Sequence, residues 1–283
     1  MKISNAIKII PQYIVPHHFL SSVMHALTRS KASYFKNFAI KTIVKIYNVD
    51  MKDAVISEPT QFPTFNHFFT RQLKPSARPI TNESDSIACP VDGAVSQAGK
   101  INNNTIFQAK NHAYTVDELL GDTSLANQFL DGEFATLYLS PRDYHRIHAP
   151  LTGRLKQMIH VPGKLFSVNN VTAENVPRLF ARNERVVTVF DTEVGPMAAV
   201  LVGAIFVSSM ETVWAGTITP PAGKSVRQWK YDGEYKLNKG DELGRFNMGS
   251  TVILLFPKDT IKWKDSLVAG ASIRMGENIG EIR

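Results

Sequence analysis

The chain has 283 residues, 43% hydrophobic and 20% charged, with a formal net charge of +7. That composition suits a soluble globular protein of one large or two small domains, and the single cysteine, Cys89, excludes an intramolecular disulfide and any cysteine-based zinc cluster. No run approaches the roughly 18 apolar residues needed to span a bilayer, and Lys8, Pro11, Pro16 and the His17-His18 pair interrupt what would be a signal-peptide core.

The first 50 residues hold seven of the 32 basic side chains and one acid, Asp50, so nearly all the excess charge lies there. Phe19, Leu20, Val23, Met24 and Leu27 recur at helical spacing, and so do Phe35, Phe38, Ala39, Ile43 and Ile46. Two basic amphipathic helices are predicted. Such helices either bury their apolar faces against the body of the protein or lie on anionic lipid. Nucleic acid is not expected as a partner, because no nucleic-acid motif and no aromatic-interleaved basic run occurs.

Residues 65–80, FNHFFTRQLKPSARPI, read as a short helix entering a proline-rich connector. From residue 88 the chain becomes a series of short β-rich runs punctuated by Gly, Pro and Asp-Gly pairs. In this half only 116–130 has a helical pattern. The run Val252-Ile253-Leu254-Leu255-Phe256 is β-branched and bulky, a buried strand, with Gly249-Ser250-Thr251 at its mouth. The carboxyl end, SIRMGENIGEIR, has the rhythm of a small closing hairpin. The expected fold class is α+β, with amino-terminal amphipathic helices capping a mostly antiparallel β domain.

Three stretches could carry chemistry. CPVDGAV places Asp92 in an Asp-Gly turn, YLSPRDYHRIHAP gathers Asp143, Tyr144, His145, Arg146 and His148, and Ser250 opens the strand. Asp92, His148 and Ser250 are of the residue types that form an acid–base–nucleophile set. An irregular turn after Pro141 would let both histidines reach one cleft. Neither H-E-x-x-H nor C-x-x-C is present, so no metal site is expected. A serine hydrolase of lipids would use the same three residue types. It would normally place its serine in a G-x-S-x-G elbow before a helix, whereas Ser250 precedes a strand.

The blocks PVDGAVSQAGKI, YLSPRDYHRIHAP, VPGKLFSVN, NERVVTVFDTEVGPMAAVLVGA, ETVWAGTITPP and FNMGSTVILLF together resemble bacterial-type phosphatidylserine decarboxylases, which are pyruvoyl-dependent. The resemblance covers essentially the whole chain. The family's L-G-S-T cleavage motif reads Met248-Gly249-Ser250-Thr251 here, and Met for Leu is a volume-conserving apolar swap. The resemblance implies self-cleavage between Gly249 and Ser250 into chains 1–249 and 250–283. Ser250 is then the nucleophile, His148 the base and Asp92 the carboxylate that orients it. Ser250 becomes the pyruvoyl group, a covalent cofactor that takes the substrate amine as a Schiff base. His145, within the matching motif, is the candidate acid–base group of decarboxylation, and Tyr138 and Ser167, in LYLS and LFSVN, are candidates for orienting substrate. The product would be phosphatidylethanolamine. Residues 1–75 would then form a membrane-associating helical segment and 76–283 the catalytic domain, peripheral to the cytoplasmic face of an anionic cell membrane.

Overall fold

The computed structural model describes residues 3–205, 209–220, 223–247 and 250–283, with Ser250 described through its backbone. Three helices open the chain, α1 (Ile3–Ile14), α2 (His17–Thr28) and α3 (Ser33–Tyr47), and the short α4 (Phe65–Phe69) follows. Helix α1 is absent from the sequence reading because Pro11 interrupts it. The proline removes one donor, yet the ladder resumes with Val15 N–H on the Pro11 carbonyl at 3.1 Å. The Thr64 side chain caps α4 by accepting from His67 N–H. Helices α3 and α4 share a small core of Ile40, Phe62, Phe65, Phe68 and Phe69.

Helix α2 is turned the other way. It buries His17, Ser21 and Thr28 and leaves Phe19, Val23 and Leu27 exposed, Phe19 by 66%. Its polar face meets the body of the protein and its apolar face does not. Two of the amino-terminal cations are also engaged internally. Lys36 is buried with its ammonium on the Thr60 carbonyl at 2.8 Å, and Arg29 pairs with Glu211 at 3.3 Å.

The remainder is β-rich. Strands β1 (Ser86–Ala88), β2 (Gly93–Lys100), β3 (Thr105–Ala109) and β4 (His112–Thr115) precede α5 (Val116–Leu120) and α6 (Thr123–Ala126). Next come β5 (Glu133–Leu139), β6 (Arg146–His148) and β7 (Gly153–Val161), then α7 (Asn170–Ala173) and α8 (Leu179–Arg182). The hairpin β8 (Arg185–Thr192) and β9 (Gly195–Val202) leads to β10 (Met210–Thr212), β11 (Gly216–Thr219), β12 (Arg227–Lys230) and β13 (Lys236–Leu237). The chain closes with β14 (Glu242–Phe246), β15 (Ser250–Phe256), β16 (Ile261–Trp263), β17 (Ser272–Ile273) and β18 (Asn278–Ile282).

These pair antiparallel into a nine-stranded sheet, ordered β12-β7-β8-β9-β15-β5-β2-β17 with β13 also on β7, and a four-stranded sheet, ordered β11-β10-β14-β6. A three-stranded sheet, β1-β18-β16, and the β3–β4 hairpin complete the fold, and the class is α+β as expected. The predicted buried strand is β15, central between β5 and β9. Val252, Ile253, Leu254, Leu255 and Phe256 are all fully buried there, each contributing about 1.5–3 kcal/mol of transfer free energy.

Two expectations are corrected. The β half holds helices besides the 116–130 region, because Asn169 caps α7 with its side chain and α8 follows; four residues each are too few for a periodic pattern. The carboxyl end is not a hairpin, since β17 pairs with β2 whereas β18 lies between β1 and β16.

Candidate active site

Strand β14 ends at Phe246 in the four-stranded sheet, and β15 begins at Ser250 in the nine-stranded sheet, opposite Leu139 of β5. Residues 247–249 therefore link two sheets. The loop 140–145 makes the same transition, from Leu139 to β6, and Phe246 N–H donates to the His145 carbonyl at 3.1 Å. The segment bearing Gly249-Ser250 is thus bracketed at both ends by the histidine loop. Met248 and Gly249 themselves, which precede the implied cleavage point, lie outside the described residues.

Polar contacts hold both linkers. Asp143 accepts from Ser140 N–H and Oγ, each at 2.7 Å, and the buried Arg71 guanidinium donates to the Arg142 carbonyl at 2.9 Å. Asn247, almost fully buried, accepts from Asn66 Nδ2 at 2.8 Å and donates to Glu211 Oε1 at 2.8 Å and to Ser209 Oγ. Arg29, the residue that follows α2, reaches the same Ser209 and Glu211. Two helices and a strand thus converge on the residue two positions before Gly249. Nothing in the sequence reading pointed to Asn66, Asn247 or Glu211.

The two histidines occupy different surroundings. His145 is completely buried, its ring 4.1 Å from the Phe69 ring. Its Nδ1–H donates to the Asp143 carbonyl at 2.9 Å, which leaves the lone pair on Nε2, and Nε2 has no partner among the described residues. Burial pushes its pKa down to about 3, so it is a neutral base. His148 donates from Nδ1 to the Gly240 carbonyl at 2.7 Å, and its Nε2 accepts from the Tyr144 hydroxyl at 3.0 Å. Burial lowers its pKa as well. Both rings therefore hold the tautomer a general base needs.

Asp92 is not hydrogen-bonded to His148. Its carboxylate accepts from Arg78 Nε at 2.9 Å and from Met275 N–H at 2.9 Å, while Arg78 also grips Asp53 at 2.8 Å. These bonds raise the guanidinium pKa still further. The Gly240 carbonyl, not Asp92, orients the His148 ring here. Gly93 follows in the expected turn, where a Cβ would collide with the Tyr138 carbonyl oxygen of β5.

A cavity of about 470 Å³ opens beside the start of β15, lined by Tyr47 of α3, Phe65 and Phe69 of α4, Tyr138 and Leu139 of β5, and Ser167. Tyr138 and Ser167, both singled out from the sequence, share this one cavity. Its lining is largely apolar, and burial raises the Tyr138 phenol pKa. Thr251 sits opposite Tyr138 in the β5–β15 register and so shares its face of the sheet. It is fully buried, and its Oγ1 has no partner among the described residues. His145 lies behind Phe69, one side chain away from the space.

A polar linker, two buried neutral imidazoles and a largely apolar cavity at a strand mouth are features an enzyme acting on an amphiphile could use. Known proteins specify the kind further. Residues 65–281 match the family model for phosphatidylserine decarboxylase, and residues 7–48 match a second model named PSD. The chain is 54% identical to the phosphatidylserine decarboxylase proenzyme of Azotobacter vinelandii over 275 residues, covering 95% of this chain and 96% of that one. The proenzymes of Pseudomonas entomophila and Methylococcus capsulatus are 54% and 52% identical, with 95% or more of both chains covered in each case. The chain belongs to the phosphatidylserine decarboxylase family.

Proposed function

We propose that this protein is a proenzyme that cleaves its own Gly249–Ser250 bond and then decarboxylates phosphatidylserine to phosphatidylethanolamine. The observation that carries this reading is the bracketing of residues 247–249 by the histidine loop, in a chain of this family. A serine hydroxyl is barely ionised near neutral pH and needs an imidazole to take its proton. His148 has a basic Nε2 for that purpose, oriented by Gly240 and occupied in this state by Tyr144. The central position of β15 would hold the downstream side of the bond fixed.

Cleavage would leave a pyruvoyl group at residue 250, which supplies the electron sink that ordinary side chains lack for loss of CO₂. The residues suit such a group. The buried Thr251 hydroxyl and His145 Nε2 are both unpartnered among the described residues, and an apolar cavity adjoins. Tyr138 and Ser167 would orient the polar head there, and His145 would manage the proton that replaces CO₂. On a denaturing gel the mature protein should give chains 1–249 and 250–283 in place of a 31.5 kDa band. Ser250→Ala should give only the intact band and no activity. Decarboxylation by purified, uncut Ser250→Ala protein would overturn the proposal, and an active intact wild-type chain would favour a lipid hydrolase.

Attachment to an anionic bilayer belongs to the same reading. The outward apolar face of α2, together with Ile14 at 81% and Phe38 at 66% exposure, is supporting evidence. No helix among the described residues is long and apolar enough to cross a membrane. Binding to vesicles containing anionic lipid should weaken as salt rises, each exposed cation contributing on the order of 1 kcal/mol. Equal binding to neutral and anionic vesicles at all salt concentrations would refute the electrostatic part.

A further inference from the structure

A second cavity, of about 450 Å³, lies where α1 meets α2 and is distinct from the one beside β15. Its size is within the ordinary range for small-molecule sites. Two cations line it, Lys164 and Arg182, and no Asp or Glu does. Neither cation has a carboxylate within 4 Å among the described residues. Arg182 is instead held flat by rings, its guanidinium carbon 4.9 Å from the centroid of Phe166 and 5.7 Å from that of Tyr13. Ring faces leave the in-plane N–H groups of a guanidinium free to meet an acceptor.

His17 supplies a third donor. It is only 5% exposed, and its Nδ1 accepts from Leu165 N–H at 3.2 Å, which places the ring proton on Nε2. That Nε2–H is buried without a hydrogen-bond partner among the described residues, with the Gln12 backbone nearby, and burial keeps the ring neutral by lowering its pKa. A buried donor left unsatisfied is costly, and an arriving acceptor oxygen would satisfy it. The rim of this cavity includes Tyr13 and Phe19, which are 52% and 66% exposed, beside Ile14. The donors therefore share one cavity with exposed aromatic side chains, the pairing an amphiphilic phosphate would need.

We propose that this cavity binds the phosphodiester of an anionic phospholipid at the bilayer surface, on Arg182, Lys164 and His17. The inference rests on the bilayer attachment proposed above only for the source of the phosphate. The site also touches the catalytic cavity. Ser167 N–H donates to Gln12 Oε1 of α1 at 2.9 Å, and Gln12 and Ser167 line the two cavities respectively. A lipid seated on α1 and α2 would brace Ser167 from behind.

The test uses the full processed chain and dihexanoyl phosphatidylglycerol below its micellar concentration, titrated calorimetrically, with inorganic phosphate as a second probe. Wild-type protein should bind the short lipid, and Lys164→Gln combined with Arg182→Gln should weaken that binding at least tenfold. Arg182→Lys should recover part of it. Lys31→Gln with Lys45→Gln, which removes the same charge elsewhere in the amino-terminal segment, should leave it unchanged. Lys164 is exposed, so Lys164→Gln alone, expected to weaken binding severalfold, reads the site without endangering the fold. Equal affinity in wild type and the Lys164/Arg182 variant would overturn the site. Inorganic phosphate binding as tightly as the lipid would overturn its lipid assignment. Binding of the short lipid with no attachment to phosphatidylglycerol vesicles would leave the site standing and refute bilayer attachment. Vesicle attachment indifferent to Lys164 and Arg182 would do the reverse.

Discussion

The buried neutral state of His145 makes a quantitative prediction about stability. Its pKa falls from an ordinary 6.5 to about 3 in the folded chain because the ring is wholly desolvated, with the nearby Arg71 cation adding to the effect. The unfolded chain thus binds this proton more tightly than the folded one. The stabilising contribution is complete above pH 6.5 and is lost progressively as pH falls toward 3. At pH 5.0, one and a half units below the unfolded value, the loss is about 2 kcal/mol. The experiment compares Ser250→Ala with Ser250→Ala/His145→Gln, so that a single uncut chain unfolds in each case. Between pH 7.5 and 5.0 the chain with His145 should lose about 2 kcal/mol more than the chain without it, a urea midpoint shift of roughly 0.7 M or greater. His17 and His148, whose pKa values are also lowered by burial, titrate in both chains and cancel. Parallel losses in the two chains would show that His145 is not held neutral in the fold. The consequence for mechanism is direct. A histidine with its lone pair on Nε2 must first accept a proton before it can return one to a substrate carbon.

Two further outcomes separate the roles of Asp92 and His148. Arg78→Met leaves the Asp92 carboxylate nearly buried without its cation, and it should destabilise the uncut chain by about 3–5 kcal/mol, read in urea melts; if Asp92 acts through its position, cleavage should also slow, and unchanged stability would remove the clamp. Tyr144→Phe takes the hydroxyl off His148 Nε2, so pulse–chase processing should proceed at least as fast as in the parent, whereas arrest of a folded Tyr144→Phe precursor would make Tyr144 a participant in cleavage.

What was legible in the sequence follows from what is local. Strand β15 is readable because a β-branched run buried on both faces needs no neighbour to identify it, and the Asp92-Gly93 turn because close approach to Tyr138 excludes a Cβ. Periodicity found α2 and α3, but it is silent on which way an amphipathic helix turns. The burial of His17, Ser21 and Thr28 decides that, and it leaves Phe19, Val23 and Leu27 outward. The partners of the site residues were illegible for a related reason. Arg78 reaches Asp92 across 14 positions, Met275 across 183, and Asn66 meets Asn247 across 181, and none of these polar pairings imposes a pattern on the chain between. His145 and His148 look interchangeable at a spacing of three, yet β6 begins between them. One ring is thereby packed against Phe69, the other placed between Gly240 and Tyr144. Two imidazoles three residues apart thus lie in separate surroundings. On the proposed reading His148, whose Nε2 meets the Tyr144 hydroxyl, would serve cleavage, and His145, sealed behind Phe69, the step after it.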